Sequence, residues 1–136
     1  MCYKYLTFAS IFYRKTPYFK VSEKLVEVAI SAMQNIKANK VVVIDLSPIE
    51  NAICKYFVIC HGNSNTHVSS IAQSVEKELK ETLQEVAFRK EGYSNAQWIL
   101  LDYSSVLIHV FQEQTREFYN IEDLWADAKV TVIEDK

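Results

Sequence analysis

Residues 98–111, with the sequence WILLDYSSVLIHVF, are the stretch that decides the fold. Residues 98–103 and 106–111 are rich in branched and aromatic apolar residues, which is typical of β-strands. Only two serines separate these runs, and so short a link forces the strands into an antiparallel hairpin. Alternation along the second strand predicts that Leu107, His109 and Phe111 share one face.

Two further apolar runs precede the hairpin. Residues 41–46 (VVVIDL) are a continuous run typical of a strand covered on both faces, and residues 56–60 (YFVIC) predict another strand. Residues 65 to about 84 combine an apolar stripe at helical spacing with a charged face, and they predict a helix. A helical crossover after the second strand favours a parallel relation with a later strand.

The flanking segments complete the predicted order. Ser22 can cap a helix that runs to about Asn39, and a last helical segment covers about residues 114–125. Residues 86–88 predict a short strand, residues 89–96 a polar loop and residues 126–136 a tail. The order α-β-β-α-β-β-β-α predicts the α/β class, with a mixed β-sheet flanked by helices.

Length and composition predict one folded unit. The chain has 136 residues, of which 49% are hydrophobic, and only 2 glycines and 2 prolines. The first twenty residues hold four basic residues, seven aromatic ones and no acidic one. We expect residues 1–20 to be a disordered extension, with a targeting presequence as the alternative, and residues 21–136 to form a single domain.

The net charge of −2 argues against direct binding of nucleic acid through its phosphates. The charge is uneven, because residues 1–97 contain 12 basic and 9 acidic side chains whereas residues 98–136 contain 3 and 8. An acidic final third suits a basic protein partner. From charge alone, a solvated acidic surface is the more common interpretation.

The three cysteines predict neither a disulfide framework nor a metal site. Cys54 and Cys60 lie in or beside apolar runs, as small buried side chains do. Their spacing to His61 and His67 matches no known zinc pattern. We expect no cofactor, a reducing cytoplasmic location and, since no apolar stretch is long enough, no membrane span.

A metal-dependent nucleotidyltransferase is the alternative that the sequence leaves open. Asp45 ends a predicted strand, and the turn at residues 61–64 opens a helix, where anions bind well. Such enzymes need paired carboxylates to hold metal ions. Asp102 has no acidic partner two residues away, which argues against this enzyme class.

The aromatic side chains of the final third have two interpretations. Most of them should be core, but Trp and Tyr also dominate protein interfaces. His109, within an apolar strand, is either a buried histidine or a contact residue on a presented face.

Several runs together resemble the ribosomal silencing factor family, also called the Iojap family. They are VVVIDL, YFVICHGNS, WILLDYSSVLIHVF and, at residues 116–128, REFYNIEDLWADA. The resemblance covers about residues 25–128 and is collinear, and the YFVICHGNS and WADAK stretches look most like bacterial, Bacteroidetes-type members. The positions that match the family's motifs are Trp98, Leu100, Asp102, Tyr103, His109, Phe111, Arg116, Phe118, Tyr119, Leu124 and Trp125.

The resemblance implies a mixed α/β fold that is nucleotidyltransferase-like without the catalytic carboxylate pair. It also implies a non-catalytic protein that binds the large ribosomal subunit through ribosomal protein L-fourteen. It implies that subunit joining is blocked sterically and translation repressed, with a role in large-subunit biogenesis. The partner-binding residues we expect are Trp98, Asp102, Tyr103, His109 and Arg116. The resemblance implies a monomer on the ribosome, and a homodimer when free is compatible with the sequence.

Two positions depart from the family's pattern. His67 stands where members often have Gln, and Ser104 where they often have Gly. The second departure predicts that Ser104 adopts a tight-turn geometry that Gly takes more easily. A generic dimeric adaptor unrelated to ribosomes is a third hypothesis, which a pull-down from lysate would separate from the first.

Overall fold

A six-stranded mixed sheet organises the chain in the computed structural model, which describes residues 20–125 and 127–135. The helices are α1 (Lys20–Asn35), α2 (Asn65–Leu83) and α3 (Glu113–Tyr119), followed by a 3-10 helix (Ile121–Trp125). The strands are β1 (Asn39–Asp45), β2 (Tyr56–Gly62), β3 (Arg89–Glu91), β4 (Trp98–Asp102), β5 (Val106–Gln112) and β6 (Lys129–Val132).

The strand order across the sheet is β3-β4-β5-β2-β1-β6. The predicted hairpin of β4 and β5 is confirmed, with Trp98 opposite Phe111 and Leu100 opposite His109. The predicted parallel relation is also confirmed, because β2 pairs in parallel with β5. In contrast, β1 runs antiparallel to both β2 and β6.

The first face of the sheet is covered by α1 and α2, which also pack against each other. Both helices place their apolar stripes against alternate residues of the strands, including Val58, Ile99, Leu101 and Ile108, which are fully buried. Each buried side chain of this size contributes about 1.5–3 kcal/mol to folding, so this layer is the main core.

Helix α2 has the bounds that the sequence predicts. The Ser64 hydroxyl accepts a hydrogen bond from the His67 amide at 3.1 Å, which satisfies a free donor of the first turn. Gln84 ends the helix in a left-handed conformation. His67 Nδ1 accepts from the Asn63 amide, so its Nε2–H donates to the Ile36 carbonyl at 2.7 Å and joins α2 to the end of α1.

Helix α1 differs from its prediction at both ends. It begins at Lys20, so Ser22 lies inside the first turns, buried, and is not the cap. It ends at Asn35 rather than near Asn39, because the Ala38 amide turns back to the Met33 carbonyl and Lys37 takes a positive φ of 59°.

Three short elements also differ from their predictions. The third strand is Arg89–Glu91, not residues 86–88. The last helical segment is divided at Asn120, which has a φ of 44°. The predicted tail contains β6, because the outer edge of β1 has free backbone groups that a further strand satisfies. The extension predicted over residues 1–20 lies, apart from Lys20, outside the described residues.

Candidate partner-binding surface

The second face of the sheet is only partly covered. Over β1 and β2 it is closed by residues 49–54 and by the 3-10 helix, whose Trp125 meets Phe57 edge-on at a centroid distance of 5.6 Å. Within residues 20–125 and 127–135 no helix lies across β4 and β5 on this face, and Trp98 and Leu100 are half-buried. Exposed apolar area on an otherwise ordered face is typical of a binding surface.

Trp98 and His109 form a hydrogen-bonded pair on this face. Indole nitrogen is always a donor, so Trp98 Nε1–H donates to His109 Nδ1 at 3.1 Å and the His109 proton lies on Nε2. Burial lowers the pKa of His109 to about 4, so the ring is neutral near pH 7. Nε2 is buried and has no hydrogen-bond partner among the described residues.

A groove of about 500 Å³ opens beside this pair. Phe57, Leu100, Leu107 and His109 are among its lining residues. At its rim stand Ile53, which is 71% exposed, and Phe88, which is 85% exposed. Large apolar side chains exposed on two sides of one groove suit the insertion of a partner's side chains.

Asp102 and Arg89 supply the charges of the groove. The Asp102 carboxylate accepts a hydrogen bond from the Ser104 amide at 2.8 Å and lies 3.8 Å from the Arg89 guanidinium. Ser104 has the positive φ, 72°, that its place in the tight turn predicts. Asp102 therefore both closes the hairpin turn and presents charge at the groove.

An exposed ledge adjoins the other side of Trp98. It consists of α3 and the 3-10 helix, and Tyr119 packs on the indole at a centroid distance of 5.0 Å. Phe118 is 79% exposed and Leu124 72%. The exposed acidic side chains of the ledge are Glu113, Glu117 and Asp123. We call the groove and this ledge together the docking surface.

Arg116 holds the ledge in place from below. Its buried guanidinium donates to both Glu122 carboxylate oxygens, at 2.9 and 3.1 Å. It also donates to His61 Nδ1 at 3.0 Å, so the His61 Nε2–H points toward Glu113, 3.8 Å away. Burial and the Arg116 cation lower the pKa of His61. Arg116 is thus placed to position the ledge.

Tyr103 lies apart from the other four residues that the sequence singles out. Its ring belongs to the core of the first face, and it is only 6% exposed. Strand alternation predicts this separation, because Trp98 and Tyr103 are an odd number of residues apart. Trp98, Asp102 and His109 are together on the second face, with Arg116 beneath the ledge. Phe57, Phe88 and Ile53 were not among the residues expected. Phe88 ends the apolar run at residues 86–88 and Ile53 lies between Ala52 and Cys54, so the sequence gives no signal that either is exposed.

The geometry does not assemble a nucleotidyltransferase site. Strand β1 is antiparallel to β2, so Asp45 lies opposite Tyr56, at the far end of the sheet from the turn at residues 62–64. Asp102 is opposite Leu107, near the same far end. The turn at residues 62–64 and the carboxylates of Asp45 and Asp102 therefore lie at opposite ends of the strands. Within residues 20–125 and 127–135, no group of three or more potential metal ligands occurs.

Comparison with known proteins decides the family. A family model described as ribosomal silencing factor during starvation matches residues 20–136. The chain belongs to the ribosomal silencing factor family. The ribosomal silencing factor of Halalkalibacterium halodurans is 38% identical over 113 residues, which are 83% of this chain and 95% of that protein.

Solved structures and a more distant relative agree with this family. The crystal structure of a Chromobacterium violaceum protein has a TM-score of 0.72 at 30% identity and covers 76% of this chain and 84% of that one. The mouse protein called mitochondrial assembly of ribosomal large subunit protein 1 is 28% identical over 102 residues, 74% of this chain and 44% of its own length. The family resemblance and the mixed α/β fold class inferred from the sequence are confirmed. The family consists of regulatory proteins and is not a known enzyme family. None of the helices described is long and apolar enough to cross a membrane.

Proposed function

We propose that this chain binds the large ribosomal subunit through ribosomal protein L-fourteen and sterically blocks association with the small subunit. Translation is thereby repressed, in the cytoplasm and without a cofactor or a catalytic step. The chain acts as a monomer on the ribosome, and a role in large-subunit biogenesis accompanies the repression. Membership of the ribosomal silencing factor family supports this proposal, as does the name of the mouse relative.

The observation that carries the proposal is the docking surface. An ordinary stable interface buries about 1,200–2,000 Å² in total, with a few aromatic anchors at its centre. Trp98 lies between the groove and the ledge, in contact with Tyr119 on one side and hydrogen-bonded to His109 on the other. In the proposed interface Trp98 is the central anchor, with Phe88 and Phe118 at the two sides.

The charge of the docking surface favours a basic protein partner. The exposed cluster of Glu113, Glu117 and Asp123 stands beside the apolar residues of the ledge, while the one Arg of α3 is buried and paired. Opposite potentials accelerate association and fix orientation. Direct binding to RNA phosphates is disfavoured on the same ground.

In the proposed complex, the five residues expected to bind the partner have different roles. Trp98 contacts the partner. His109, whose Nε2 is buried, contributes to the groove that receives the partner and holds the Trp98 indole through their hydrogen bond. Asp102 contributes charge at the groove, and Arg116 positions the ledge. Tyr103 supports β4 from the first face of the sheet.

Co-sedimentation with purified large subunits tests the proposal. We expect Trp98→Ala to weaken binding by about 2 kcal/mol or more, since truncating a central anchor has this effect. Phe88→Ala avoids any effect on the core, because Phe88 is 85% exposed, and we expect it to weaken binding by about 1 kcal/mol. The matched control is Val86→Ala, which removes an exposed residue outside the groove.

A light-scattering assay of subunit joining completes the test. Wild-type protein should slow joining, and Trp98→Ala and Phe88→Ala should restore it in proportion to their loss of affinity. Equal binding by the folded Phe88→Ala and Val86→Ala variants would overturn the docking surface. Binding without any effect on joining would overturn the steric mechanism.

A further inference from the structure

His61 lies beneath the ledge and accepts a hydrogen bond that only a neutral histidine can accept. Its side chain is buried, and Arg116 Nη1 lies 3.0 Å from its Nδ1 atom. A guanidinium can only donate, so Nδ1 carries no proton and the ring proton lies on Nε2. A second proton on this ring would place two N–H groups and two positive charges against each other.

The contact between Arg116 and His61 joins the ledge to the sheet. Arg116 lies in α3 and holds Glu122 of the 3-10 helix through Nε and Nη2, so it connects both parts of the ledge. Among the described residues, its polar contacts with the strands come from Nη1: the bond to His61, and a longer one of 3.4 Å to the Asn39 carbonyl. The bond to His61 is therefore the stronger of these two links.

Charged groups from three of the described elements face His61. They are Arg116, Glu113 and Glu117 of α3, Lys40 of β1 and, through Arg116, Glu122 of the 3-10 helix. Burial and the Arg116 cation are the main causes that lower the pKa of His61, and Lys40 acts in the same direction. Glu113 and Glu117 oppose them, but both carboxylates are exposed and the pKa stays below 6.5. The ring therefore resists protonation while Arg116 lies against it.

We propose that protonation of His61 releases the ledge from the sheet and thereby weakens binding at the docking surface. A proton from solvent occupies Nδ1, and Arg116 loses its bond to His61 but keeps Glu122. Helix α3 and the 3-10 helix then move together, and Tyr119, which packs on Trp98, moves with them. This inference rests on the proposed function, because the ledge is one half of the docking surface.

Acidification favours the released ledge. In the released state His61 is hydrated and away from Arg116, so it binds the proton as an ordinary histidine does, with a pKa near 6.5. The held ring binds the proton more weakly, since its pKa is lowered. Below about pH 6.5 the proton therefore binds preferentially to the released state, and the population of that state increases. The docking surface is thus complete near neutral pH and incomplete in acid.

Nuclear magnetic resonance titration of the free, full-length chain from about pH 7.5 to about pH 5 tests the release directly. We expect the amides of α3 and the 3-10 helix to shift with the same midpoint as the His61 ring. His61→Asn places an oxygen near the position of Nδ1, so it accepts from Arg116 without titrating, and its ledge amides should show no such step. A His61 ring that does not titrate in this range, or one that titrates while the ledge amides stay fixed, would refute the inference.

Co-sedimentation with purified large subunits at about pH 7.5 and about pH 5.5 measures the effect on binding. We expect the wild type to bind about tenfold more weakly at the lower pH, and His61→Asn to bind almost equally at both. His67→Gln, which removes the histidine of α2 outside the docking surface, is the matched control and should keep the wild-type pH dependence. Equal pH dependence of the wild type and His61→Asn would refute the inference and leave the proposed function standing. Absence of binding at the higher pH would refute the proposed function instead, and the titration of the free protein would still decide whether the ledge is released.

Discussion

The two faces of the sheet differ in what covers them. On the first face α1 and α2 seal the strands, and Ile99 and Leu101 have no exposed area. On the second face the neighbouring residues Trp98 and Leu100, in the same strand, remain half-buried beside a groove. One strand thus serves a core on one side and a surface on the other, because successive side chains point to opposite faces.

The largest expected effect on stability comes from comparing two leucines of β4, one on each face of the sheet. Leu101→Ala should lower the free energy of unfolding by about 3–4 kcal/mol, because it leaves a cavity in a sealed core. Leu100→Ala, one residue earlier, should lower it by only about 1 kcal/mol while weakening large-subunit binding. Urea unfolding and co-sedimentation measure the two effects. Equal destabilisation would show that the second face is as closed as the first.

The next effect concerns the ledge on the second face. Arg116→Gln should lower the free energy of unfolding by about 2–3 kcal/mol, because it leaves Glu122 and His61 without their buried partner. Urea unfolding measures the loss, and fluorescence of Trp98 and Trp125 would report movement of the ledge. Lys24→Gln, which changes an exposed charge on α1, is the control. An unchanged unfolding curve for Arg116→Gln would rule out its positioning role.

His109, the neutral histidine of the second face, should make the free energy of unfolding depend on pH by about 2 kcal/mol. The pKa of His109 is about 4 when folded and 6.5 when unfolded, so below pH 6.5 the unfolded state binds the proton more strongly. Stability should therefore fall by about 2 kcal/mol from pH 7 to pH 5, and His61, whose pKa is also lowered, acts in the same direction.

Urea unfolding at both pH values measures this loss, with His109→Gln as the comparison. The variant lacks the titrating group, so its loss between the same pH values should be smaller. Parallel stability curves for the two proteins would mean that His109 titrates normally in the folded state.

The smallest effect on stability is expected at Ser104, in the turn that joins β4 to β5. Ser104 has a φ of 72°, a left-handed conformation that strains any residue with a Cβ atom. Ser104→Gly should raise the free energy of unfolding by about 0.5 kcal/mol, since the amide keeps its bond to Asp102. Chemical denaturation checks it, with Ser105→Gly, whose φ is not positive, as the destabilising control.

Local signals in the sequence were sufficient for the longest elements. The hairpin, β1, β2 and α2 were predicted correctly, because run length, period and a two-serine turn act over a few residues. The start of α1 was not, since Ser22 has the residue type of a cap but lies inside the helix. Strand β6 was not predicted either, because it forms only where the edge of β1 is available.

Of the residues expected to bind the partner, Trp98, Asp102 and His109 lie on one face of the sheet, while Tyr103 lies in the opposite core. Their role in binding stays a prediction. Exposed Phe88 and Ile53 were missed, because exposure depends on which elements pack nearby and not on the residue type.

The sequence by itself determined the strand runs, the antiparallel hairpin, the main helix and the family, since each depends on the order of residues along a short stretch. Only the tertiary structure decided that, among the described residues, two helices cover one face and leave the other partly uncovered. It also decided that Trp98 fixes the tautomer of His109, and that the Tyr103 ring lies in the core of the first face. These outcomes depend on contacts between residues far apart in sequence, and burial and pairing exist only once the chain has folded.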